Sequence, residues 1–217
     1  MIKAIKVNMP EGDQINWSFD FSLAGTIHLK NPMDQNIPDW VRLDNHQCSA
    51  CTLSARDCAT CPVAEVIAQY AFELRDHSSY EKVDVEIYQK ESGLMRVNNI
   101  PLQTVVGEIV RLAVFQYSCP IGRKVKSAMV ELSPFPENND ILNAFAIAFT
   151  GSGMGEGMVL NEDQVYYFQS LQELFGNLCM RLEDVGKGDA QLNGVVMLHS
   201  LSTLFTLLSP DGQEEAL

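Results

Sequence analysis

The chain has 217 residues, 46% of them hydrophobic, and a formal net charge of −13. That length can bury a substantial core in one large domain, or in a domain with a helical appendage. The negative balance argues against a nucleic-acid partner, which needs clustered Lys and Arg to displace counterions, and against an anionic membrane surface.

The N-terminus lacks the apolar run and cleavage site of an export signal, so a cytoplasmic, reducing setting is expected. Ile2, Ile5 and Val7 read as a strand before the Pro10-Glu11-Gly12-Asp13 turn. Ile15, Trp17, Phe19 and Phe21 then alternate with polar residues at period two. Residues 26–29 form a candidate third strand, and 31–39 a proline-bearing connector. Pro62 suits the first position of a helix carrying Val63, Ile67, Tyr70, Ala71 and Leu74 at helical spacing. Val83, Val85 and Ile87 alternate with Asp84, Glu86 and Tyr88, and 93–97 can pair with them as a hairpin. A long apolar helix is predicted over 102–117, stopped by Ser118-Cys119-Pro120, whereas 127–132 reads equally as helix or strand. Beyond Pro136 the pattern is helical: 141–149, then two amphipathic helices over 162–184 and 191–208 forming an αα-hairpin. The polar load of 190–210 marks a buried helix and not a membrane span. The expected class is α+β, with a metal-binding domain over 1–150 and a helical hairpin over 151–217 that can pack into it.

Cys48-x-x-Cys51 and Cys58-x-x-Cys61 place four cysteines within fourteen residues. Two such pairs can converge four thiolates on one ion, and structural zinc is the leading expectation. The spacer between the pairs is only six residues, which favours a compact loop site over a zinc ribbon. His46 is an extra candidate ligand. Cysteine followed by proline, at Cys61-Pro62 and Cys119-Pro120, also occurs among iron–sulfur ligands, so a cluster or a reactive dithiol is the alternative. A helix dipole behind Cys61 would favour its thiolate. Cys179 falls on an apolar helix stripe and reads as core.

Trp40-Val41-Arg42-Leu43, His46-Gln47-Cys48-x-x-Cys51 and Cys61-Pro62-Val63-Ala64 resemble the motifs of an uncharacterised bacterial domain family. Ser79-Tyr80-Glu81 before Val83-Asp84-Val85 continues its pattern. So does Ser118-Cys119-Pro120 after a long helix, where the family has an added glycine. The resemblance spans about residues 15 to 150. It implies recurrent cysteines at Cys48, Cys51, Cys61 and Cys119, with no regular cysteine at Cys58; a split site closed by Cys119, with Cys58 spare or alternate, thus stands as an alternative to the contiguous four. It also implies a histidine where Leu132 stands here, and it carries no activity.

Arg123, Lys124 and Lys126 are the one basic cluster. They could bind an anion near the metal, although a solvated turn is the simpler reading. The run 151–157 has four glycines but lacks the Lys-Ser/Thr of a phosphate loop, and reads as a hinge. His28, His77 and His199 stand in no catalytic order, and Asp84 and Glu86 fit a solvated strand face. The expected function is therefore non-enzymatic: a zinc-stabilised protein working through a protein partner or self-association. A redox or sensor protein is the alternative.

Overall fold

The computed structural model describes residues 2–10, 12, 14–18, 20–21, 27–28, 37–71, 74, 76–89, 92–151, 159–183, 185 and 189–206. Four strands form an antiparallel sheet in the order β2-β1-β5-β6: β1 (Ile2–Asn8), β2 (Gln14–Ser18), β5 (Lys82–Gln89) and β6 (Gly93–Pro101). A two-stranded ladder pairs β3 (Asp20–Phe21) with β4 (Ile27–His28). Six α-helices follow or intervene among the described residues: α1 (Pro62–Ala71), α2 (Leu102–Val114), α3 (Lys126–Glu131), α4 (Asn138–Thr150), α5 (Glu162–Glu183) and α6 (Ala190–Thr206). The class is α+β, with a helical C-terminal half in which α5 and α6 pack as a pair.

Successive strand side chains face opposite sides of a sheet, so the period-two pattern decides which side is dry. Ile5 and Val7 of β1, and Val83, Val85 and Ile87 of β5, are all buried. They join Tyr70 of α1, Val105 and Ile109 of α2, and Phe168, Leu171 and Phe175 of α5 in one continuous core. Helices α2 and α6 cross at backbone contact. A Cβ added to Gly194 would stand 2.6 Å from Val106 Cγ1 and 2.9 Å from the Gly107 nitrogen, so the crossing requires glycine.

The expected helix over 102–117 ends sooner, at Val114, because Phe115 leaves the helical region with ψ 38° and the chain turns toward Cys119. Residues left ambiguous over 127–132 are helical from Lys126 to Glu131, following a 3₁₀ turn over Gly122–Val125. A buried ion pair steers this return: Arg111 donates to both oxygens of Glu108, at 2.6 and 2.9 Å, and also to the Met129 carbonyl. Its guanidinium thus clips α3 to α2 below the Cys119 turn. Of the glycine-rich run, only Gly151 is described; it closes α4 in the left-handed region at φ 73°, while 152–157 lie outside the described residues, as do Phe19 and 31–36 of the expected connector. Among the described residues no helix is long and apolar enough to cross a membrane.

Candidate functional site

The first cysteine loop is pinched shut at its base. Arg42 and Thr60 form an antiparallel bridge, the Leu43 N–H donates to the Ala59 carbonyl (3.0 Å), and the Cys61 N–H donates to the Val41 carbonyl (2.9 Å). Between these ends the chain tightens into a turn at Cys48, whose carbonyl accepts from the Cys51 N–H at 3.0 Å. Cys61 then stands immediately before α1. Proline at the first helical position leaves the next N–H groups without intrahelical partners, and those of Val63 and Ala64 donate to the Cys61 sulfur.

Cys119-Pro120-Ile121-Gly122 repeats this arrangement. The Gly122 N–H lies 3.4 Å from Cys119 Sγ, and the Ile121 N–H also donates to that sulfur. Here the fourth position must be glycine for a reason of space: a Cβ would meet the Val114 carbonyl oxygen at 1.8 Å. Two turns far apart in sequence therefore offer a sulfur the same pair of backbone donors.

Cys48, Cys51, Cys61 and Cys119 line one chamber of about 30 Å³, walled largely by Leu43, Leu53, Val63, Ile121, Leu174 and Leu178. That volume holds one water or one ion, not an organic substrate. Cys58 does not line it; its S–H donates to the Thr60 carbonyl at 3.0 Å. His46 borders the chamber, largely exposed and in the left-handed region at φ 43°. All six cysteines are free thiols, and Cys179 is half-buried against the core.

Helix α5 grips the loop through three polar residues at four-residue spacing, which places them on one face. The Glu173 carboxylate accepts from Ser49, at 2.8 Å from its N–H and 2.5 Å from its hydroxyl. Asn177 hydrogen-bonds the Cys48 sulfur. Arg181 is 3% exposed and donates to the carbonyls of Trp40 (2.6 Å), Arg42 (2.8 Å), Leu43 (3.4 Å) and His46 (3.4 Å). Among the described residues this guanidinium has no carboxylate partner. A buried cation paired only with carbonyl dipoles is costly unless negative charge stands nearby. The neighbouring group is Cys61, whose thiolate the Arg181 charge favours.

Burial works the other way. It pushes the Cys48 thiol up to about 11 and Cys119 up to about 12, and it raises Cys61 despite Val63, Ala64 and Arg181. The donors and charge expected to favour the Cys61 thiolate are thus outweighed by desolvation. Among the described residues no group of three or more His, Cys, Asp or Glu side chains stands at metal-holding geometry. Tyr167 adds a buried hydroxyl without a hydrogen-bond partner among the described residues, within electrostatic reach of Cys119. A thiolate there would give that hydroxyl an acceptor.

The spacing of the first four cysteines singles out this loop, and Cys119 is marked by its own Cys-Pro pair and by the resemblance. Glu173, Asn177 and Arg181 went unread, because polar residues on a long amphipathic helix look like its solvent side. Arg181 between Leu178 and Leu182 was the available signal.

The chain belongs to a family described as Domain of unknown function (DUF6901), whose sequence model matches residues 5–142. No curated protein and no solved structure matches it. The match ends before α5, so the residues that grip the cysteine loop lie outside the matched region.

Proposed function

We propose that the protein binds one zinc ion through Cys48, Cys51, Cys61 and Cys119, and that the ion is structural. The observation that carries this reading is the shared chamber: four thiols from three separate turns around a space the size of a single ion. Zinc accepts a closed set of four thiolates, and such a centre carries excess negative charge. Buried Arg181, and N–H donors at two of the four sulfurs, are the charge complement that set requires. A closed all-cysteine site leaves no position for substrate, so the reading is non-enzymatic. Cys58 has no place in it.

The ion would fasten the 41–61 loop to the Cys119 turn and so present their outer surface to a protein partner or a second copy of the chain. Exposed apolar side chains such as Ile147, Tyr166, Met180 and Leu204 support a role in protein contacts. A reducing compartment such as the cytoplasm suits the free thiols. An iron–sulfur cluster uses the same ligand type and is the alternative to be separated from zinc; the raised Cys48 and Cys119 thiols fit a reactive dithiol poorly.

Metal content by elemental mass spectrometry, with a visible spectrum, on anaerobically purified protein tests the reading. One zinc per chain and no colour are expected. Iron with sulfide would replace zinc by a cluster, and protein that is metal-free after purification and after zinc addition would overturn the proposal. Cys119→Ser should lose the ion and more than about 4 kcal/mol of stability.

A further inference from the structure

A second cavity opens beside the thiol chamber and shares Cys51, Pro120 and Ile121 with it. Its volume is about 360 Å³, within the range of small-molecule sites. Arg123 and Lys124, consecutive on the 3₁₀ turn after Cys119-Pro120, reach it together; both are exposed, and neither joins an ion pair among the described residues. Lys124 is held in place by its Nζ lying 5.3 Å from the centre of the Tyr167 ring, a cation–π contact. Thr52 also lines it, and Pro120, Ile121 and Tyr166 add apolar wall.

What is missing from this lining decides its sign. The chain has 28 acidic residues and 15 Lys and Arg, yet no carboxylate lines this cavity and two cations do. In a field that is negative elsewhere, two adjacent cations without counter-ions in a concavity form a local attractor for anions. A solvated basic turn explains the charges but not the concavity; the acid nearest its lining, Glu173 of α5, stands outside it and is taken up by the Ser49 N–H and hydroxyl. The space exceeds a lone inorganic ion, and its walls are half apolar in character, so the ligand needs a body as well as a charge.

We propose that this groove binds a small organic anion, a phosphate ester or a carboxylate, with its charged group on Arg123 and Lys124 and its body against Pro120, Ile121 and Tyr166. The inference stands on the groove's own residues and not on the metal reading. Because the groove and the chamber share a wall at Cys51, ligand bound in one lies against the other.

Calorimetric titration at low ionic strength, using the protein as purified, tests this with three probes of one shape: phenyl phosphate, benzoate and neutral phenol. Saturable one-to-one binding of either anion, without phenol binding, is expected, and the anion that binds names the charged group. The Arg123→Gln/Lys124→Gln double variant should bind at least ~10-fold more weakly, since a lost charge-assisted contact is of that order, with its melting temperature unchanged. Should the double variant misfold, Lys124→Gln alone carries the same comparison. Three results would each overturn the proposal: no saturation by either anion, phenol binding as well as they do, or variants that bind as tightly as the parent.

Discussion

The two Cys-Pro turns reach the same local geometry by different means. Cys61-Pro62-Val63-Ala64 opens a ten-residue helix, so its free N–H groups come from ordinary helix termination, and alanine is accommodated at the fourth position. Cys119-Pro120-Ile121-Gly122 leads only into a four-residue 3₁₀ turn, and it presses so closely on α2 that the fourth position has no room for a Cβ. Backbone donors to a sulfur are thus a local property of the four-residue pattern. Bringing the two sulfurs to one chamber is a tertiary matter, resting on Arg181 for the first turn and on the Arg111 clip for the second.

After loss of a ligand such as Cys119, the largest effect should come from breaking the tertiary side of this comparison. Arg181→Met removes a buried cation and strands four carbonyls, at an expected cost of about 3 kcal/mol in chemical denaturation. It should also weaken zinc retention against a chelator. Arg181→Lys should rescue little, because an ammonium has three donors on one atom and cannot reach four carbonyls served by two separate nitrogens. If retention and stability in both variants match the parent, α5 does not hold the site.

Gly122→Ala and Ala64→Gly probe the local side. The first forces a methyl group onto the Val114 carbonyl and should cost about 1–3 kcal/mol, with weaker metal retention. The second relaxes an equivalent position inside a helix and should cost only about 1 kcal/mol, leaving metal retention unchanged. Equal effects of the two changes would show that the turns are interchangeable after all.

Away from the site, Asp189 ties the start of α6 to the loop before β5. Its carboxylate accepts from the Ser79 N–H at 2.6 Å and the Ser79 hydroxyl at 3.0 Å, and the Ser79 N–H above all holds it below the usual carboxylate range. A depressed folded-state value means its contribution is present above the ordinary range near pH 4 and is lost as pH falls through the lower value. Asp189→Asn should therefore be destabilised by about 1 kcal/mol at neutral pH, a modest figure for an exposed group, and the gap to the parent should close on acidification. A gap that widens in acid would contradict this.

The sheet was legible because strand burial follows period two whatever lies around it, as Val83, Val85 and Ile87 show. The helical hairpin was legible for the corresponding reason at period 3.6. The site was legible only in part. Adjacency along the chain makes Cys58 a candidate fourth ligand beside Cys119; in the structure its S–H bonds the Thr60 carbonyl and it stands outside the chamber the other four line. Spacing within a motif reports which sulfurs are near in sequence; it says nothing of a cysteine brought in by α2, nor of a guanidinium supplied by α5. Among the single changes considered, Cys58→Ser should accordingly have the smallest effect, within about 0.5 kcal/mol and with full metal retention.

The most direct measurement is X-ray absorption at the zinc edge on the parent, Cys58→Ser and Cys119→Ser proteins. Four sulfurs at about 2.3 Å are expected in the parent and in Cys58→Ser, with sulfur lost from the shell in Cys119→Ser. An unchanged four-sulfur shell in Cys119→Ser, lost instead in Cys58→Ser, would contradict the split site and return the centre to the contiguous cysteine loop.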